Sequence, residues 1–369
     1  MRLIITGGGT GGHIYPALAI ADYFKNTDKN AHILYIGGKH GIENEILKNY
    51  DYDYLSIDVL GIRRKISLDN VSRVFKSIKA MIKMKKIIRD FKPDLVIGTG
   101  GYVTGPVVYM AEKMNIKTAI LEQNVFMGMA NKILAKNVDH IFYGFEEALK
   151  RYPYKNVTVS GNPVRTQEFK NTKAQSRSNL GYGDEKIILS IGGSGGSDSL
   201  NECIPELVRY CMKNDIRLIH VCGRGNKKAV VDKTNVLYDK FELHEYISSI
   251  GDYMRACDLI ICSAGASTLS EVTYLGKPMI VIPKAYTAEN HQEYNARMIQ
   301  EDGAGYCILE KMLTPGILIK KIDSIIFDET LSKRMSENSL KLHKGDSCKI
   351  IYDTLVNDTN MRLNLNKSL

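Results

Sequence analysis

Positions 263–271 read Ser-Ala-Gly-Ala-Ser-Thr-Leu-Ser-Glu, small and hydroxyl-bearing residues closed by a single acid. A turn of this kind between a strand and a helix leaves the first helical N–H groups unpaired and places the positive end of the helix dipole beside them. That suits a phosphate, so residues 264–268 are the expected phosphate turn. Glu271 follows Thr268 by three positions. Two readings of that spacing stay open. One is a capping box, in which each side chain satisfies the other's backbone donor. The other is a carboxylate placed to accept both hydroxyls of a ribose. Gln292 and Asn295, on the next polar turn and helix start, are placed to reach the far end of the same ligand. Near the N-terminus, Gly7-Gly8-Gly9-Thr10-Gly11-Gly12-His13 makes a second, wider anion cradle. Gly7, Gly9 and Gly12 satisfy the dinucleotide fingerprint formally. Residues 32–36, the next strand, run into Gly37-Gly38-Lys39, without the acid that would hold an adenosine ribose. Asp51-Tyr52-Asp53 resembles a metal-holding pair of acids, but it sits in a polar turn with no further ligand nearby and reads as solvated; no metal site is expected.

The elements that must carry these loops alternate. Residues 1–6, 32–36, 54–57, 94–97, 118–121, 139–143 and 157–160 read as strands, each followed by a turn or a helical period. The first helix is expected from near Pro16, a residue suited to a first helical position, to about Phe24. After a polar segment at 166–184 with no clear period, the layout repeats. Strands at 187–191, 217–221, 259–263, 279–282 and 303–309 carry glycine loops at 192–197 and 223–225, and two helices close the chain. Such alternation predicts parallel sheets with ligand loops gathered at the strand C-termini. The length exceeds a comfortable single core. The expected architecture is therefore α/β with two Rossmann-like domains in tandem that face a shared cleft. Their expected bounds are 1–164 and 165–346, with a C-terminal helix at about 347–369 returning to the first.

Charge is concentrated in one place. Residues 62–92 hold eleven Lys or Arg and two acids, an excess that equals the net charge of +9 of the whole chain. Apolar residues recur there at Val71, Val74, Ile78, Ile82 and Ile88, which is helix periodicity. A crossover helix packed on a sheet is one reading. The other is a surface that meets anionic lipid, to which Ile62, Ile66 and Met84 add apolar contact; nucleic acid is not an expected partner. The apolar runs fall far short of the roughly 20 residues of a membrane span. The N-terminus enters a strand directly without the apolar core of a signal peptide, so a cytoplasmic protein is expected. Seven cysteines, odd in number and never spaced as C-x-x-C, argue against a disulfide framework and a structural zinc site.

Taken in order, GGGTGGHIYPALAIA, GTGGYVTGPVV, LEQN, GNPVR, GGSGGS, SAGASTLSE and NHQEYNA resemble the MurG family, from the N-terminus to about Gly305. These are GT-B glycosyltransferases that add N-acetylglucosamine from UDP-N-acetylglucosamine to a polyprenyl-diphosphate-linked muramyl peptide at the cytoplasmic face of the cell membrane. By position, the resemblance implies that Glu271 holds the ribose and that the backbone near Ile247 reads the uracil edge. Ser194 with Ala266, Ser267 and Thr268 would bind the diphosphate, and Leu269 and Ser270 complete that run. Arg165 would lie at the hinge, while Gln292, Asn124, Thr10, Gly11 and Gly12 would contact the sugar. Two positions depart from the pattern: Gly195 stands where the family commonly has Gln, and Ser263 where it often has Arg. The implied chemistry is an inverting single displacement without metal or cofactor. Helix N-termini and loop N–H groups would meet the leaving charge. His13 is then the first candidate base, with a loop-bracing hydrogen bond as its competing role, and Glu122 the second. A UDP-N-acetylglucosamine epimerase on a similar two-domain fold is the alternative function; it would need no acceptor.

Overall fold

The structure is a computed structural model and describes residues 1–59, 68–193, 195–287 and 290–367, without the side chains of 49, 68–77 and 358–367. It divides into two compact units, Met1–Pro163 with Lys344–Leu369, and Val164–His343.

Unit 1 holds strands β1 (Arg2–Thr6), β2 (His32–Gly38), β3 (Asp53–Ile57), β4 (Leu95–Gly98), β5 (Lys117–Glu122), β6 (His140–Tyr143) and β7 (Val157–Val159). They form one sheet in the order β3-β2-β1-β4-β5-β6-β7, every pair parallel. A parallel sheet covered by helices on both faces needs strands that are apolar on both sides, and β1 shows it. Leu3, Ile4 and Ile5 are all fully buried. Side chains alternate across a strand. Leu3 and Ile5 pack with Ile14, Leu18 and Phe24 of helix Gly11–Thr27, while Ile4 packs with Met84 and Ile88 of helix Leu68–Phe91. The last helix, Ser347–Lys367, buries Ile351 and Leu355 on the β1 face beside Phe24. Burying two such side chains is worth about 3–6 kcal/mol, enough to bring this distant segment back. Lys117 Nζ donates to Leu355 O (3.0 Å) in its middle, and Ser347 Oγ donates to Asn162 O (2.9 Å) at its start.

Unit 2 repeats the scheme with β8 (Ile187–Ile191), β9 (Arg217–Val221), β10 (Phe241–His244), β11 (Leu259–Cys262), β12 (Met279–Val281) and β13 (Gly305–Cys307), ordered β10-β9-β8-β11-β12-β13 and all parallel. In both sheets the order turns back once, between β1 and β4 and between β8 and β11. The crevice beyond the strand ends at such a point is where open α/β sheets take ligands.

Several expectations are corrected. The first helix starts at Gly11, not near Pro16, because Thr10 is extended and the helix leaves the glycine loop at once; Pro16 lies inside the helix and lacks the N–H for one i→i−4 bond. Residues 166–184 hold the helix Lys173–Leu180, capped by Thr172 and Gln175 bonding each other's backbone and closed by Gly181 at φ 72°. Half-buried β10, an edge strand with polar Glu242 and His244, was not foreseen. Three helices close the chain, Pro315–Ile326, Glu329–Leu342 and Ser347–Lys367. Met84, counted toward a lipid surface, is fully buried against β1 and β4 instead. Ile62 and Ile66 lie outside the described residues. No helix among the described residues is long and apolar enough to cross a membrane.

Candidate active site

In unit 2 the phosphate turn follows β11. Gly265 is extended at the start of helix Ala266–Tyr274 and no side chain caps it. The capping box between Thr268 and Glu271 is therefore absent. The Glu271 carboxylate turns instead to Arg165, whose Nε and Nη2 both donate to Oε1 (3.3 and 3.0 Å), while Arg165 Nη1 pairs with Glu168. Among the described residues Oε2 of Glu271 accepts nothing. Burial raises the Glu271 pKa, and the Arg165 guanidinium opposes the shift. At the second residue of the helix, the buried Ser267 Oγ has no partner among the described residues. Ala266, Ser267 and Thr268 occupy the three positions whose N–H groups a helix leaves unpaired. Leu269 donates its N–H to Gly265 O (3.0 Å) and its side chain is fully buried, and Ser270 Oγ donates to Ala266 O (2.8 Å), so these two side chains are engaged within the protein.

Asn295 is also corrected: it is fully buried and donates to Ala264 O (3.0 Å), bracing the turn from behind. Gln292 Oε1 accepts from the Lys284 N–H (3.0 Å). Beside β11, the β8 loop keeps Gly193 at φ 82° and Gly196 at φ 72°, and a Cβ on Gly196 would meet Cys222 O at 2.2 Å. Ser194 lies outside the described residues. Among the described residues nothing lies within 4 Å of a Cβ placed on Gly195, the position where the resembled family commonly has Gln. Ser263 is buried and its N–H donates to Ile191 O (3.2 Å). Ile247 is half-buried in the loop between β10 and helix Gly251–Ala256.

In unit 1 the loops after β1 and β4 are stitched together at the point where the strand order turns. Thr99 is the hub. Its N–H donates to Thr6 O (2.8 Å) and its Oγ1 to His13 O (2.7 Å), while its own carbonyl takes the His13 Nδ1 proton (3.0 Å) and a Gln123 amide proton. A carbonyl can only accept, so the proton of the neutral ring is on Nδ1 and the lone pair on Nε2. The same bond that braces the loop fixes this tautomer. Gly100, at φ 105°, must be glycine here, since a Cβ would come within 2.5 Å of Nδ1. Thr10 and Gly12 are exposed and Gly11 is half-buried at the helix start. Glu122, the second candidate base, is committed elsewhere. It is buried and accepts from the Asn124 N–H and Nδ2 (3.0 and 3.2 Å), the Gly128 N–H (3.0 Å) and Asn131 Nδ2 (2.9 Å), shaping the loop that presents Asn124.

One residue escaped the sequence reading. Glu43 is fully buried and accepts from the N–H groups of Gly9 (3.1 Å) and Gly38 (2.7 Å), tying the β1 glycine loop to the end of β2. Its only signal was an acid shortly after a second glycine pair.

Residues 3–143 match the glycosyltransferase family 28 N-terminal domain, and residues 187–349 the glycosyltransferase family 28 C-terminal domain. The UDP-N-acetylglucosamine--N-acetylmuramyl-(pentapeptide) pyrophosphoryl-undecaprenol N-acetylglucosamine transferase of Clostridioides difficile (strain 630) is 41% identical over 364 residues, with 96% of this chain and 88% of that protein covered. The crystal structure of Acinetobacter baumannii MurG superimposes with a TM-score of 0.76 at 25% identity, covering 95% of this chain and 98% of that one. UDP-GlcNAc 2-epimerase from Neisseria meningitidis, bound to UDP-GlcNAc, shares the fold with a TM-score of 0.69 at 16% identity, covering 97% of this chain and all of the other, 100%.

Proposed function

The chain belongs to the MurG family of glycosyltransferases, and from that premise we propose that it transfers N-acetylglucosamine from UDP-N-acetylglucosamine to the muramyl residue of a polyprenyl-pyrophosphate-linked muramyl peptide. The observation that carries the donor side is the turn after β11. It joins an unpartnered buried Ser267 hydroxyl and three unpaired helix N–H groups to a carboxylate with one open oxygen. Glu271 Oε2 takes the ribose hydroxyls with Arg165 as its anchor, Ser267 and the N–H groups of 266–268 take the diphosphate, and the backbone at Ile247 takes the uracil. Gln292, Asn124 and Thr10–Gly12 orient the sugar.

The reaction is a single displacement with inversion. The acceptor 4-hydroxyl oxygen bonds to the anomeric carbon from the face opposite the nucleotide. The bond from that carbon to the β-phosphate oxygen breaks, its electron pair leaves with UDP, and the hydroxyl proton passes to Nε2 of His13. Fixed N–H dipoles at the helix start meet the charge on the departing diphosphate without reorganising.

The polyprenyl tail keeps the acceptor in a bilayer, so the enzyme works at the cytoplasmic face of the membrane as a peripheral protein, through residues 62–92. Within the described part of that helix, Ile78 and Ile82 are 43% and 67% exposed, among exposed Lys79, Lys83, Lys85, Lys86 and Arg89, with Ala80, Met84 and Ile88 buried on the opposite face. Exposed isoleucines set among lysines fit the boundary of anionic lipid. The test of the whole reading is radiolabelled UDP-N-acetylglucosamine in detergent, with and without the lipid-linked muramyl acceptor. Label should enter the lipid product only when acceptor is present. Conversion of the nucleotide sugar without acceptor would identify an epimerase instead.

A further inference from the structure

Lys284 has no part in the roles just assigned, yet its surroundings are those of a cation waiting for an anion. It leaves the C-terminal end of β12, which neighbours β11, which neighbours β8. Lys284 therefore stands at the same end of the sheet as the glycine loop after β8 and the phosphate turn after β11. Its main chain is held by Gln292, and its ammonium donates to Gly196 O (2.6 Å). A Cβ on Gly196 would meet Cys222 O at 2.2 Å, so only glycine fits at the residue whose carbonyl takes that proton. A Cβ placed on Gly193 would lie 3.3 Å from Ser263 Oγ and 3.9 Å from Lys284 Nζ, so hydroxyl and ammonium flank one point of the glycine loop.

Among the described residues the charge balance at Lys284 is incomplete. Among the described residues the ammonium makes that one hydrogen bond, to a neutral carbonyl, and no carboxylate lies within ion-pair distance. Glu310 and Asp198 favour its charge only from farther off, while burial lowers its pKa. A half-buried ammonium that has lost water and gained one neutral acceptor is an expensive arrangement unless a ligand completes it. Among the described residues two of its three protons remain for that ligand.

We propose that Lys284 binds the diphosphate of the nucleotide in unit 2, a contact that rests on the donor reading above. Isothermal titration with UDP and with uridine separates the two, because uridine carries no phosphate. Lys284→Met should weaken UDP binding by about 10- to 100-fold, the range expected for charge-assisted hydrogen bonds, and leave uridine binding unchanged. Lys284→Gln, which keeps a donor for Gly196 without the charge, should show the same loss of the UDP-to-uridine preference and guards against an effect of misfolding. Lys284→Arg should retain most of it. If the parent binds UDP and both neutral variants keep its UDP-to-uridine ratio, the assignment of Lys284 is overturned and the donor site stands. A parent protein that binds no UDP overturns the donor reading and Lys284 with it.

Discussion

Replacing Glu271 by alanine separates the two things this carboxylate does. It removes both Arg165 contacts, at 3.3 and 3.0 Å, from a side chain that is 13% exposed. The guanidinium keeps Glu168 as a partner, so the structural loss is that of one charge-assisted interaction, about 1.5–3 kcal/mol. In a unit of this length each kcal/mol lowers the melting temperature by about 2–4 °C. The functional loss is the ribose contact at Oε2, about 10- to 100-fold in UDP affinity. A substrate deletion tells the two apart. Removing the 2′-hydroxyl from UDP should cost the parent protein affinity and leave Glu271→Ala indifferent, a coupling of at least about 1 kcal/mol in the chemical double-mutant cycle. Calorimetry with UDP and 2′-deoxy-UDP on both proteins supplies the four numbers. If both proteins lose equally on deoxygenation, Glu271 only anchors Arg165 and the ribose assignment is wrong. The pH dependence runs the same way. Burial holds the Glu271 pKa above its ordinary 4.5, so the carboxylate that accepts the ribose is lost as pH falls through that raised value. Uridine affinity should accordingly begin to weaken at a higher pH than an ordinary glutamate would dictate, and Glu271→Gln should flatten the profile.

His13→Ala should lower kcat by roughly 100-fold or more with little change in the donor KM, because a base acts in the transition state; a variant within a few-fold of the parent in steady-state kinetics returns His13 to a loop-bracing role. Reversing Lys79, Lys86 and Arg89 to glutamate should abolish sedimentation with anionic vesicles while UDP binding persists, and sedimentation at the parent level would move the membrane contact elsewhere. Lys83 is left alone in that variant because it donates to Ser56 O. His220, fully buried between Ser190 and Asn201, has its pKa pushed down by burial to about 3 from an ordinary 6.5. The unfolded chain binds a proton there below pH 6.5 and the folded chain does not, so thermal stability should fall as pH drops from 6.5 toward 3; His220→Gln should lose less stability over that window, as followed by calorimetry.

The strands were legible because parallel strands buried on both faces are written as unbroken apolar runs, as in Leu3-Ile4-Ile5 or Leu259 to Cys262. Glycine loops were legible for a related reason: Gly100 and Gly196 sit where a Cβ has no room. Edge strand β10 was not, since half-burial leaves Glu242 and His244 tolerable there. The cap formed by Thr172 and Gln175 is present in the sequence as a Thr-x-x-Gln spacing, but the polar helix it opens carries no apolar period to mark it. The partner of Glu271 was illegible in principle, because Arg165 lies 106 residues away and a local capping box competes on paper. Glu43 and Lys284 share that difficulty: each matters through backbone groups of neighbouring strand ends, and adjacency in a sheet is not adjacency in a chain.

The return of helix Ser347–Lys367 to the β1 face places the whole of unit 2 inside the sequence of unit 1. At about 5–20 residues per second of synthesis, the roughly 180 residues between Pro163 and Lys344 occupy a ribosome for about 10–40 seconds. Through that interval Phe24 and its neighbours lack Ile351 and Leu355, so the unit made first is the one finished last, and the later-made unit can complete its own core while the earlier one waits.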